Sequence, residues 1–249
     1  MYAKLDFDIN RQPDNDSCGP TCLHAVYNYY NDSISLQEII SEVSMMEEGG
    51  TLEVFLACHA LRRGYKTTIF PYNLQIFDPT WSTLSPEAIA ARLRQQLVFK
   101  KDIPGFKLVT DGYLEYLELG GNLKFEVLTA PLIRRYLKRS IPILTGLSAT
   151  YLYGDARECL TGSELVYDDV RGESTGHFVV LTGYKKEDRS VLVADPLKKN
   201  PIASSRYYSV SIYRLVCAIM LGILSYDGNL LIIQPQKRKI NQAIRSSML

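Results

Sequence analysis

Near the C-terminal third of the chain, two apolar runs flank one polar turn. Phe178–Tyr184 and Val191–Ala194 are rich in Val and Leu, and Lys185-Lys-Glu-Asp-Arg-Ser190 joins them. Such a pattern is a β-hairpin signal, and runs this apolar belong inside a sheet. Tyr65–Phe70, Ile141–Leu147 and Leu230–Ile233 read as further strands. Helix signals crowd the chain ahead of the hairpin. Gly19-Pro20 leads into Thr21–Tyr30, with Cys22, Val26 and Tyr30 on one face. Ser35-Leu-Gln-Glu38 is a capping box for a helix through Val43. Thr51 reads as the cap of Leu52–Arg63, which Gly64 stops. Ser85-Pro86 opens a helix to about Phe99, Thr110 one to Leu119 and Thr129 one to about Arg139. Ser209 or Ser211 caps a last one across Ile212–Leu221. Helices first and an antiparallel sheet later make an α+β fold.

The chain has 249 residues, of which 46% are hydrophobic, enough for a full core in one large domain. With 28 basic against 27 acidic residues, charge gives no reason to expect a nucleic-acid partner. The start, Met1-Tyr-Ala-Lys-Leu-Asp-Phe, lacks the apolar run of a signal peptide, and Leu215–Leu224 is about half a membrane span. Neither feature points to a membrane. The five scattered cysteines do not form a disulfide framework, so a reducing cytoplasm is expected. The tail from Gln236 to Leu249 is basic and reads as loosely ordered.

Cys18 stands where a polar turn meets a helix. The N-terminal end of a helix favours negative charge, which a thiolate carries. Cysteine there is either a small buried hydrophobe or a nucleophile. Cys22, Cys58, Cys159 and Cys217 lie in apolar or nondescript surroundings and read as core. A nucleophile needs a base. His24 and His59 lie inside helices, whereas His177 ends the polar loop Ser174-Thr-Gly and starts the apolar strand. Such a histidine is either a strand end without a role or a proton carrier, and an imidazole carrier needs an orienting partner on its second nitrogen. Asp195 ends the second strand of the hairpin. Antiparallel pairing across the turn gives residue numbers adding to roughly 372–376, so His177 and Asp195 can be neighbours on one face if no bulge intervenes. Gln12 supplies a neutral side-chain donor for an oxyanion, beside the backbone N–H of Cys18. Histidines and cysteines are too dispersed for a zinc site, and the chemistry needs no metal or other cofactor.

Gln12 and the Cys18-Gly-Pro-Thr-Cys-Leu frame, then Gly176-His-Phe-Val-Val-Leu-Thr-Gly-Tyr184, then Ala194-Asp-Pro196, resemble the bacteriocin-processing, double-glycine-leader cysteine peptidases of the papain-like superfamily. Gly49-Gly-Thr51, Gly64-Tyr65 and Tyr207-Tyr-Ser-Val-Ser211 extend the likeness. The resemblance implies a papain-like fold, with the cysteine at a helix N-terminus packed on an antiparallel sheet that carries the histidine and aspartate. It implies Cys18 as nucleophile, His177 as general base and acid, Asp195 as the orienting residue and Gln12 as an oxyanion donor. The substrate would be a peptide or small amide. Two alternatives stay open: acyl transfer to an amine, as in phytochelatin-synthase-like transpeptidases that share this fold and order, and peptide binding without cleavage. Residues 73–130 have no counterpart in a minimal processing domain and read as a helical insertion or a lid near the cleft.

Overall fold

The computed structural model of the chain describes residues 2–46, 49–161, 164–225 and 228–236. The first part runs β1 (Tyr2–Lys4), α1 (Cys18–Tyr29), α2 (Leu36–Glu42), α3 (Glu53–Arg62) and β2 (Tyr65–Pro71). A middle segment holds a 3-10 turn (Pro79–Thr83), α4 (Pro86–Lys100), α5 (Phe106–Glu118) and the two-residue β3 (Asn122–Leu123). The remainder comprises α6 (Ala130–Leu137), β4 (Ile143–Ser148), α7 (Ala149–Tyr153), β5 (Glu158–Thr161), β6 (Glu164–Tyr167), β7 (Gly176–Lys185), β8 (Ser190–Ala194) and β9 (Tyr207–Ser211). It closes with α8 (Ile212–Leu221), a second 3-10 turn (Gly222–Ser225) and β10 (Asn229–Pro235). The architecture is the expected α+β. One sheet has the order β3-β2-β10-β4-β7-β8-β9, with β1 also on β7, and β5–β6 form a separate pair. All its pairings are antiparallel except β2 with β3.

The hairpin of the sequence is the middle of this sheet. β7 is flanked by β4 along its first half, by β1 along its last residues and by β8 on the other edge. It is buried from His177 to Tyr184, as a near-continuous apolar run requires. Val179, Val180 and Leu181 are fully enclosed, and burial of each contributes about 1.5–3 kcal/mol. α1 packs against β7 and α3, while α3 covers β2 and β10. α8 lies on β4 and against α7.

A bulge sets the phase of the site. Near the turn, Lys185 pairs with Ser190 and Tyr184 with Val191, numbers that add to 375. Past the irregularity between Leu181 and Gly183, Leu181 pairs with Val193 and Val180 with Ala194, adding to 374. One step further, Asp195 stands across from Val179, in phase with His177. Had the first register continued, Asp195 would oppose Val180 and point to the other face. The sequence expectation required a hairpin without a bulge. The contact forms because the bulge is there, with Thr182 as the extra residue; its carbonyl accepts the Leu5 N–H at 2.8 Å.

Local signals explain most helix ends. Ser35 and Glu38 form the reciprocal box, and Ser85, Thr129 and Ser211 each accept a backbone N–H of their own first turn. Gly64, at φ 81°, ends α3. Two starts differ from expectation. α3 is capped by Leu52, because the Thr51 hydroxyl donates to the Ser44 carbonyl at 2.6 Å. α5 begins at Phe106, after Gly105 in the left-handed region at φ 72°, and Thr110 is buried inside it. The middle segment packs on α3 and the β2 edge. A Cβ on Gly112 of α5 would lie 2.8 Å from side-chain atoms of Val54 and Phe55, so only glycine permits that approach. The Tyr116 hydroxyl accepts from Thr67 at 3.1 Å and binds the β3 backbone. Residues 237–249, most of the basic tail, lie outside the described residues. Among the described residues, no helix is long and apolar enough to cross a membrane.

Candidate active site

The stretch from Gln12 to Cys18 is built around Asp14. One Asp14 oxygen accepts the N–H of Asp16 at 3.0 Å, the N–H of Ser17 at 2.9 Å and the Ser17 hydroxyl at 2.7 Å. The Ser17 bond is the main reason that its carboxyl lies below its ordinary value. The Asp14 carbonyl accepts Gln12 Nε2 at 2.8 Å. Ser17 is the cap residue of α1 and Cys18 its first helical residue. The Ser17 carbonyl takes both the N–H and the hydroxyl of Thr21, at 3.0 and 2.7 Å. The first turn therefore leaves the N–H groups of Cys18 and Gly19 without intrahelical partners, and Pro20 has none to satisfy. Gln12 is 3% exposed, and its Oε1 has no partner among the described residues. Its own N–H donates to the Pro196 carbonyl at 2.9 Å, and Lys198 Nζ donates to the Pro13 carbonyl. These bonds join the Gln12 loop to the chain just after Asp195.

His177 lies on β7 opposite Leu147 of β4. Its Nε2 bonds Asp195 Oδ1 at 2.9 Å, and Cys18 lies close enough to act on the ring's charge. With Nε2 engaged by the carboxylate, Nδ1 is the nitrogen left for the sulfur. Cys18 is 8% exposed and Asp195 fully buried. Burial works against a charged imidazole, but the Asp195 charge, the Asp195 bond and the nearby Cys18 outweigh it and push His177 up to about 10. Burial also works against the Asp195 charge, yet His177 and further donors hold that carboxyl down at about 2. Those donors are the Tyr208 hydroxyl on Oδ2 at 2.6 Å and the Leu197 N–H on Oδ1 at 2.9 Å; the Tyr153 hydroxyl and Asn200 Nδ2 also donate to Oδ2, at 2.8 and 3.0 Å. All four residues singled out in the sequence thus lie near the start of α1, with His177 bonded to Asp195 and the Gln12 loop bonded to the chain just after Asp195.

The other histidines are elsewhere. His59 bonds the Tyr27 hydroxyl at 2.8 Å and Glu42 at 3.0 Å, tying α3 to α1 and α2, and burial lowers its pKa. His24 is buried beside Asn28 and is likewise lowered by burial. Cys22 is fully buried, its thiol donating to the Phe178 carbonyl at 3.3 Å, and burial pushes it well above its ordinary value. Cys58 is also core. Cys159 and Cys217 depart from expectation: the first is half-buried and the second exposed on α8, because a helix covering a sheet keeps one face in solvent. Sequence reasoning missed Asp14, although Asp followed three residues later by Ser is a local turn signature. It also missed Tyr153, Asn200 and Tyr208 as partners of Asp195; Tyr208 lies in the Tyr207–Ser211 stretch of the likeness, but nothing local assigns it to that carboxylate. Among the described residues, no three or more His, Cys, Asp or Glu side chains are grouped so as to hold a metal ion.

A buried Cys–His–Asp array at a helix N-terminus is the arrangement of a thiol-based acyl-transfer site. Two family models match the sequence around it. The Peptidase C39 family matches residues 6–96, which hold Gln12 and Cys18, and the Peptidase_C39 like family matches residues 115–214, which hold His177 and Asp195. Each model spans less than half of the chain, and the two together make it similar to the C39 peptidases and peptidase-like proteins. No curated protein matches it. Among solved structures, it is similar to a double glycine motif protease from an AMS/PCAT transporter in complex with the leader peptide, at 13% identity over 94% of this chain and 95% of that one, TM-score 0.44. The peptidase domain of Streptococcus ComA, a bi-functional ABC transporter involved in a quorum sensing pathway, gives 14% identity over 92% and 98%, TM-score 0.42. Xylellain, a cysteine protease from Xylella fastidiosa, gives 13% over 95% and 86%, TM-score 0.41.

Proposed function

We propose that the protein is a papain-like thiol hydrolase that cuts a peptide or amide bond through a thioester acyl-enzyme. The His177–Asp195 hydrogen bond, with Cys18 beside the ring at the start of α1, carries this reading. His177 takes the Cys18 proton, and the thiolate attacks the carbonyl carbon. As the C–S bond forms, the carbonyl electron pair moves to oxygen. The Cys18 N–H and the second N–H of the Gln12 amide receive that oxyanion. The imidazolium then gives its proton to the leaving nitrogen as the C–N bond breaks. Water, deprotonated by His177, attacks the thioester, releases the acid and restores the thiol. Asp195 stays ionised throughout and keeps the ring in place.

The test is product analysis by mass spectrometry with a defined peptide mixture. Cleavage products should form with the wild type and vanish with Cys18→Ala, a loss of at least about 10³-fold. Cleavage that survives Cys18→Ala would overturn the proposal. Products that carry an added amine in place of water would move the assignment from hydrolysis to transfer.

A further inference from the structure

Asp195 is held by more donors than its work on His177 requires. A carboxylate offers about four lone-pair sites, and Asp195 receives five donors. Two reach Oδ1, from His177 and the Leu197 backbone. Three reach Oδ2: Tyr153 from α7, Tyr208 from β9 and Asn200 from the loop between β8 and β9. None of these three belongs to the β7–β8 hairpin that carries the His177–Asp195 pair. All three are neutral, so they satisfy the buried charge without competing for it as a second cation would. With Oδ2 filled from three sides, the carboxylate cannot turn about its Cβ–Cγ bond, and Oδ1 is the oxygen that meets the imidazole. The Tyr153 ring also stands 6.3 Å from the His177 ring, tilted by 53°, and so borders it.

We infer that Tyr153, Tyr208 and Asn200 are positioning residues of the proposed reaction, fixing an ionised Asp195 so that it holds His177 against Cys18. This rests on the thiol-peptidase reading of the site. The titratable groups around Asp195 are His177 from β7, Tyr153 from α7, Tyr208 from β9 and, further off, Cys18 and Cys22 from α1. Hydrogen bonds to a carboxylate favour its charged form. Removing them raises the pH at which Asp195 takes up a proton, and a neutral Asp195 no longer supports the imidazolium.

The variant Tyr153→Phe/Tyr208→Phe removes two donors and keeps both rings. The readout is the iodoacetamide alkylation rate of Cys18 from about pH 2 to 9, resolved by peptide mass spectrometry, with the exposed Cys217 as internal reference. The acid limb of the Cys18 profile should move up by about one pH unit and the neutral rate fall at least about fivefold, with Cys217 unchanged. A merely structural role would lower the thermal midpoint and leave the limb where it was. A Cys18 profile that overlays the wild type overturns the inference. If the double variant does not fold, Tyr208→Phe alone and Asn200→Ala are read by the same profile, each expected to move the limb by a smaller step. A wild-type Cys18 that is no faster than Cys217, and indifferent to His177→Ala, overturns the thiol-peptidase reading itself.

Discussion

Asp195→Asn separates the two forces that act on His177. In the wild type, burial opposes the charged ring, and Asp195 overcomes it, so that His177 stands at about 10 against an ordinary 6.5. At about 1.36 kcal/mol per pH unit, that rise is ~5 kcal/mol of preference for the imidazolium. In the variant the charge is gone, and the amide group sets a donor against one of the two donor sets that now converge on the carboxylate. Burial then dominates, with Cys18 as the raising influence left, and His177 should titrate at or below 6.5. The assay is an NMR titration of ¹⁵N-histidine protein, which is simple here because the chain has three histidines. His24 and His59 are both lowered by burial, so one wild-type resonance should titrate far above the other two. In Asp195→Asn all three should fall together at or below 6.5. A His177 that still titrates near 10 in the variant would refute the assigned cause. Stability follows the same shifts. The His177 contribution is full below 6.5 and lost as pH rises toward about 10, while that of Asp195 is present above 3.8 and lost as pH falls toward about 2. The wild type's advantage in urea unfolding should therefore peak between about pH 3.8 and 6.5 and shrink on either side.

Further outcomes follow from single contacts. Gly19→Ala places a Cβ 2.7 Å from Thr51 Cγ2 and should cost about 1–3 kcal/mol by overpacking; adding Thr51→Ser, which removes that methyl and keeps the hydroxyl, should recover part of the loss in denaturant unfolding. Cys22→Ala should lower stability by about 1–2 kcal/mol, since it removes a fully buried thiol bonded to Phe178, and should leave Cys18 reactivity within about threefold of wild type. Ser35→Ala removes the capping box of α2 and should cost about 1 kcal/mol with no effect on the site, as read by thermal unfolding and Cys18 labelling together.

The parts of the fold that were legible are those with local causes. Ser35, Ser85, Thr129 and Ser211 each mark a helix start within four residues of sequence, and the hairpin shows in two apolar runs around one polar turn. Thr110 misled because a threonine ahead of an apolar run looks like a cap, whereas the actual start depends on the left-handed Gly105. β1, β9 and α7 are three to five residues long, too short for a period to emerge. In the site, residue type and order pointed to Gln12, Cys18, His177 and Asp195. The bulge at Thr182 that brings the last two into phase left no sequence mark. The Oδ2 donors were equally invisible, since Tyr153, Asn200 and Tyr208 converge from three separate elements.

The central claim is that Cys18 is made reactive by His177. It is tested most directly by ranking the five cysteines by their iodoacetamide rates at neutral pH, in the wild type and in His177→Ala. Burial alone would make Cys18 slow and the exposed Cys217 fast. Activation by His177 reverses that order: the buried Cys18 labels first, and His177→Ala slows it at least about tenfold while leaving Cys217 unchanged. A wild-type Cys18 slower than Cys217, or one indifferent to His177→Ala, would contradict it.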